Sequence, residues 1–202
     1  MIQPFGEAAL LVELESADQA QALAALLRDD PPPGMVEAVP GLASLLVELD
    51  PLSADAERVS TLIEGRLGGL RPLAPSGGLH TIPVIYDGPD LEVVAELTGL
   101  LPSEVIARHA AIELRVLFCG FAPGFAYLGD LPSDLRVERL ATPRTRTPAG
   151  SVAIAGSMSG IYPSDLPGGW RVIGRTEVTL FDPHRDPPAL LVPGDRVSFE
   201  PA

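Results

Sequence analysis

The sequence predicts an α+β protein of two domains, a ferredoxin-like β-α-β-β-α-β domain over residues 1–76 and a β-barrel or sandwich over residues 77–202. Three observations predict it. Two stretches of the first domain repeat apolar side chains at helical spacing, each preceded by a strand-like run. The run Pro75-Ser76-Gly77-Gly78 can continue neither helix nor strand and reads as a linker. Beyond Glu113 the chain breaks into short apolar runs cut by glycine and proline, as barrels and sandwiches do.

Taken in order, Ala8 to Leu14 reads as a strand. Ser16-Ala17-Asp18-Gln19 has the capping-box pattern that opens a helix, and Ala20, Leu23, Ala24 and Leu27 keep one face apolar until Pro31-Pro32-Pro33-Gly34. Met35 to Val39 and Ala43 to Leu49 are two strands broken at Pro40-Gly41. Ser53 begins a second helix, with Val59, Leu62, Ile63, Arg66 and Leu67 on one repeat, and Gly68-Gly69 stops it before a short strand from Leu70 to Leu73. In the second domain Thr81 to Tyr86 is strand-like, Asp87 to Gly99 holds a helix with Pro89 near its start, and Ser103 to Ala110 is another. Leu114 to Cys119, Val152 to Ala155, Trp170 to Ile173, Val178 to Phe181 and Arg196 to Phe199 are strands, the last entered through a type II turn at Pro193-Gly194.

Composition narrows the function. The formal charge of −13 argues against nucleic acid. That charge is uneven: residues 1–79 carry −8, 80–135 carry −6 and 136–202 carry +1, and residues 136–175 hold six arginines against Glu138 and Asp165. A cationic surface on an acidic protein would draw a small anion. All 14 basic residues are arginine, which excludes Schiff-base, P-loop, Ser-Lys and biotinyl-lysine chemistry within this chain. Cys119 is the one cysteine and reads as a buried strand residue; His80, His109 and His184 lie far apart, so no metal site is expected. No run approaches the roughly 18 apolar residues of a membrane span, and no signal peptide is evident, so a cytoplasmic protein is the expectation.

The chemistry concentrates between Gly120 and Asp182. Gly120 to Gly129, Thr142 to Ser151, Gly156 to Gly160, Tyr162-Pro163, Pro167 to Trp170 and Gly174-Arg175-Thr176 interleave glycine, proline and arginine. Glycine lets backbone N–H groups approach an oxyanion, and arginine supplies forked donors, so the pattern suits a rigid anion cradle. Turns in a barrel also call for glycine and proline, but not for Arg144, Arg146 and Arg175 beside them.

These strings, with Pro148-Ala149-Gly150-Ser151-Val152-Ala153-Ile154-Ala155-Gly156, Gly160-Ile161-Tyr162-Pro163, His80-Thr81-Ile82-Pro83-Val84 and Phe5 to Val12, resemble the family of 5-oxoprolinase B subunits. The family is also called allophanate hydrolase subunit 1 or carboxyltransferase subdomains C and D, and includes the kinase inhibitor KipI. The resemblance implies a cyclophilin-like barrel for the second domain. It implies a non-autonomous subunit that, with an A subunit and a KipA-like C subunit, uses ATP to open 5-oxo-L-proline to L-glutamate. It also leaves two alternatives, a KipI-like inhibitor of a histidine kinase and the carboxyltransferase half of a urea carboxylase or allophanate hydrolase-type system.

On the enzyme reading Arg144, Arg146 and Arg175 hold the substrate carboxylate or the transferring phosphoryl group, and the backbone of Ala149, Gly150, Ser151 and Gly156 adds neutral donors. Tyr162 and His80 are the candidate proton carriers. Trp170 is either a platform for a ring or base, or a core aromatic. The ATP site would be shared with a partner subunit, and the substrate is a small anionic amide. Where relatives carry Ala-Gln-Thr-Gly this chain has Ser157-Met158-Ser159-Gly160, so a glutamine contact to the amide would be lost at Met158.

Overall fold

In the computed structural model, which describes residues 1–71 and 77–202, the capping pattern at Ser16 does start a helix. Ser16 Oγ accepts from Gln19 N at 3.3 Å, and Gln19 Oε1 accepts from Glu15 N at 3.0 Å, so two of the unpaired N–H groups at the helix entry are satisfied. The chain forms two units, Met1–Ser76 and Gly77–Ala202.

The first unit holds β1 (Ile2–Pro4), β2 (Ala9–Glu13), α1 (Ala17–Asp29), β3 (Met35–Pro40), β4 (Ser44–Leu49) and α2 (Ala56–Leu67). Its sheet is antiparallel in the order β1-β2-β4-β3. Alternation puts Leu10, Val12, Leu45, Val47 and Leu49 on one face, where they meet Leu23 and Leu27 of α1 and Val59 and Ile63 of α2. Each such side chain contributes about 1.5–3 kcal/mol by burial.

Two sequence expectations change here. The second helix begins at Asp55, whose side chain caps Arg58 N at 3.1 Å; Ser53 is drawn into a turn instead, its hydroxyl donating to Asp50 Oδ2 at 2.7 Å. The strand expected at Leu70 to Leu73 is not formed by Leu70 and Arg71, and residues 72–73 lie outside the described residues, as do two residues of the expected linker. The edge beside β2, which a ferredoxin-like order gives to that strand, is taken by β1, a strand the sequence reading missed.

The second unit contains β5 (Leu79–Val84), α3 (Leu91–Thr98), α4 (Pro102–Ala110), β6 (Glu113–Cys119), β7 (Ala126–Gly129), β8 (Arg144–Thr147), β9 (Ser151–Ala155), β10 (Met158–Ile161), β11 (Leu166–Gly168), β12 (Arg171–Arg175) and β13 (Arg196–Pro201). Seven of these make a sheet ordered β12-β9-β10-β7-β6-β13-β5, and β8 and β11 form a separate ribbon. The sheet's two edges meet where Ile85, just past β5, pairs with Arg175 of β12, giving a nearly closed barrel. Closure leaves no long free edge. Inside lie Ile82, Val84, Leu114, Val116, Leu128, Val152, Ile154, Val197 and Phe199, with Val94 of α3 and Val105 of α4 packed against them.

The strand expected at Val178 to Phe181 is absent: Phe181 alone pairs with Ala189 in an isolated bridge. The Pro193-Gly194 turn is formed, with Asp195 N donating to Val192 O at 3.1 Å and Gly194 at φ +96°. Cys119 is half-buried at the end of β6, and burial raises its thiol to a pKa of about 11.

Candidate functional site

The pairing that closes the barrel also builds the site. Past Ile85 the chain continues along β12, with Gly88 N donating to Ile173 O at 3.2 Å and Asp90 N to Val172 O at 3.0 Å. A Cβ on Gly88 would overlap the Ile173 backbone, so only glycine permits the approach. Asp87 and Asp90 are thereby set against arginines far away in sequence. Asp90 should cap α3, yet it makes no cap bond. Its carboxylate instead accepts from Arg144 Nη2 at 2.7 and 2.8 Å and from Val172 N at 2.6 Å, while Arg144 Nη1 donates to Trp170 O at 3.3 Å. Asp90 is buried with its carboxylate engaged by both partners, while Arg144 keeps 28% of its side chain exposed. Arg175 Nε donates to Asp87 Oδ2 at 2.9 Å, a pair about half exposed on both sides.

Arg144, Ser151 and Arg175 come together around a cavity of about 280 Å³, completed by Asp87, Thr147, Ala149 and Gly174. Thr147 Oγ1 is fully buried and has no partner in hydrogen-bonding geometry, although the neighbouring Tyr162 hydroxyl is close enough to feel it. It lies sealed behind the cavity surface, with the Tyr162 hydroxyl as its polar neighbour.

The cradle expected from the backbone is not offered. Gly150 N donates to Tyr162 O at 2.8 Å, Ser151 N to Pro148 O at 3.2 Å, Gly156 N to Val137 O at 2.8 Å, and Ala149 N to Asp165 Oδ1 at 2.9 Å. Gly150 sits at φ +77°, where a Cβ would overlap Thr176 O, and Gly156 at φ +56° turns β9 into β10. These glycines serve close packing and a tight turn. The cationic surface is corrected as well. Arg146 is 74% exposed, pairs with Asp165 and does not line the cavity, so each of the three expected arginines carries an aspartate partner. The count along the sequence missed Asp87 and Asp90 because they arrive from before α3.

His80 also lies elsewhere. Its Nε2 is 3.1 Å from Asp195 Oδ2, and Asp195 additionally accepts from Gly78 N and Val192 N, so this cluster ties β5 to the turn before β13. Tyr162 is buried, with its hydroxyl against Gly168; burial raises its pKa, opposed by Thr147, Trp170, Arg139 and Arg144. Such a phenol is a poor proton carrier near neutrality. Trp170 packs edge-to-face with Phe125 at 5.7 Å and joins Tyr162 in a small aromatic core. Met158 packs on that core and does not line the cavity.

One buried polar chain escaped the sequence reading. Tyr86 Oη lies 2.8 Å from His109 Nδ1, His109 Nε2 lies 3.1 Å from Ser159 Oγ, and Ser159 Oγ donates to Ala153 O at 3.2 Å. A neutral imidazole satisfies every link: it accepts from the tyrosine and donates to the serine. His109 is completely buried and stacks on Phe199, and desolvation lowers its pKa to about 3. A threonine at 159 would supply the same hydroxyl.

The geometry can be set beside known proteins. The family model "Carboxyltransferase domain, subdomain C and D" matches residues 1–191. The 5-oxoprolinase B subunit of Escherichia coli O157:H7 is 44% identical over 97% of this chain and 93% of its own length, and that of Bacillus subtilis (strain 168) is 37% identical over 98% and 91%. The solved structure of TTHA0988 superposes with a TM-score of 0.85 at 39% identity over 100% of this chain, which spans 40% of that one. Sequence and fold therefore agree: this chain belongs to the carboxyltransferase-domain subdomain C and D family, together with the 5-oxoprolinase B subunits.

Proposed function

We propose that this chain is the B subunit of a 5-oxoprolinase, one that works only with its partners and contributes to ATP-dependent opening of 5-oxo-L-proline to L-glutamate. The observation that carries the reading is near full-length similarity, at 37–44% identity, to three proteins named as 5-oxoprolinase B subunits. Neither the kinase-inhibitor reading nor the carboxyltransferase reading has comparable support.

A lactam is a weak electrophile, and its activation through phosphorylation of the amide oxygen would create negative charge that cations must stabilise. Arg175 is the group suited to that task. Its bond to Asp87 is exposed, such pairs are worth about 0–1 kcal/mol, and an incoming phosphoryl or carboxylate group can displace the aspartate. Arg144 is locked to Asp90 and orients the cavity wall. Ser151 can add a hydroxyl bond. A cavity of about 280 Å³ suits a phosphoryl group or a small amide acid better than a whole nucleoside triphosphate, which supports an ATP site shared with the C subunit. An A subunit as a further partner, a cytoplasmic setting, and the ferredoxin-like and cyclophilin-like descriptions of the two units belong to the same proposal.

An omission series tests it. With the A and C subunits, ATP and 5-oxo-L-proline, addition of this chain should yield glutamate and ADP, and each single omission should abolish the yield. Failure to form glutamate with all three proteins present would overturn the reading.

A further inference from the structure

A second pocket lies on the other side of the Arg144–Trp170 contact. It measures about 150 Å³ and is lined by Phe121, Phe125, Tyr127, Tyr162 and Trp170, with Arg139 at its rim. A cavity of this size holds a single ring. The aromatic side chains brace one another: Phe125 meets Phe121 at 5.4 Å, Tyr127 at 5.0 Å and Trp170 at 5.7 Å, all edge-to-face. Phe121 is held at φ +72°, a backbone state that costs a side-chain-bearing residue energy, and is 58% exposed.

Arg139 differs from every other arginine between residues 136 and 175. Arg144, Arg146 and Arg175 have aspartate partners, and Arg136 and Arg171 donate to the Leu131 and Glu138 carbonyls. Among the described residues Arg139 makes no hydrogen bond or ion pair; its charge is felt by the Tyr127 and Tyr162 phenols that line the same pocket. An unpaired guanidinium beside an aromatic cup recognises a flat ring bearing one carboxylate, with the ring on the aromatic faces and the carboxylate on the forked donors.

We propose that the Phe125–Tyr127–Trp170 pocket with Arg139 is a binding site for a small cyclic carboxylate, separate from the Arg175 cavity. The proposal rests on the function proposed above only for the choice of probe, L-5-oxoproline. Trp170 is the only tryptophan in the chain, so intrinsic fluorescence reports this pocket directly.

Titrating the full chain with L-5-oxoproline should give a saturable fluorescence change. Arg139→Gln, on an exposed side chain without bonds among the described residues, should weaken binding at least tenfold with unchanged Tm, and Arg146→Ala, at a residue that lines neither pocket, should leave it within twofold. No saturable change, or equal affinity in Arg139→Gln, overturns the proposal. So does a response to adenosine or ATP in place of the carboxylate. Binding that Arg139→Gln weakens, in a chain that yields no glutamate with its partners, would uphold this site while the function reading falls. Turnover without any Trp170 response would do the reverse.

Discussion

The two pockets beside the β8–β11 ribbon use the same side chain in opposite ways. On one side the part-buried Arg144 is bonded to the buried Asp90 and holds strand β12, the loop before α3 and the ribbon together; on the other Arg139 is exposed and, among the described residues, bonded to nothing. They are five positions apart in sequence. What distinguishes them is whether a carboxylate arrives from elsewhere in the fold, and that decides which arginine is structure and which is available for a ligand.

The largest effect is expected at Arg144. Removing Arg144 strands the buried Asp90 carboxylate, so Arg144→Ala should cost about 3–5 kcal/mol of stability. Urea denaturation would show it as a lower midpoint at unchanged slope. A midpoint shift worth under about 1 kcal/mol would mean the Asp90 pair is not what holds this wall.

The same rule, that burial sets the importance of a polar group, sharpens at His109. Its folded pKa of about 3 lies below the ordinary 6.5, so the unfolded chain binds the extra proton first. The stability it contributes is complete above pH 6.5 and is lost as pH falls towards 3, by about 1.4 kcal/mol per unit. Unfolding curves below pH 6.5, down to pH 5, should approach that slope, and His109→Gln should flatten it while lowering stability at pH 7. An equally steep slope in the variant would place the acid sensitivity elsewhere.

Arg146 marks the small end of the scale. It pairs with Asp165 at a surface where such pairs contribute about 0.2–1 kcal/mol, so Arg146→Ala should shift Tm by about 2 °C or less. Turnover in the three-protein complex should stay within about twofold. A tenfold loss of turnover would return Arg146 to the site from which the structure removes it.

Much of the fold was legible because it rests on local patterns. The capped helix at Ser16, the β2 and β4 alternation and the Pro193-Gly194 turn each follow from a few neighbouring residues. β8 and β11 were not legible. Their Arg-Thr-Arg-Thr and Leu-Pro-Gly strings have neither apolar alternation nor a run, and they become strands only by pairing with each other. In the site, Arg144, Ser151 and Arg175 were brought together as the arginine-rich motifs suggested, whereas Asp87, Asp90 and Thr147 were missed. The string Asp87-Gly88-Pro89-Asp90 reads locally as a helix entry, and only the closure of the barrel reveals its carboxylates as arginine partners. The glycine motifs misled for a related reason. A glycine needed for close packing and one needed to expose an N–H to a ligand look alike in sequence, and here Gly150 and Gly156 have their N–H groups engaged within the fold.

The central claim, that the exposed Arg175–Asp87 pair is the ligand-responsive cation while Arg144 is structural, is tested by one paired measurement on Arg175→Ala: its Tm alone and its kcat/KM in the three-protein complex. The expected result is a Tm change of about 2 °C or less together with at least a tenfold fall in kcat/KM. Full activity, or a stability loss as large as that of Arg144→Ala, would contradict it.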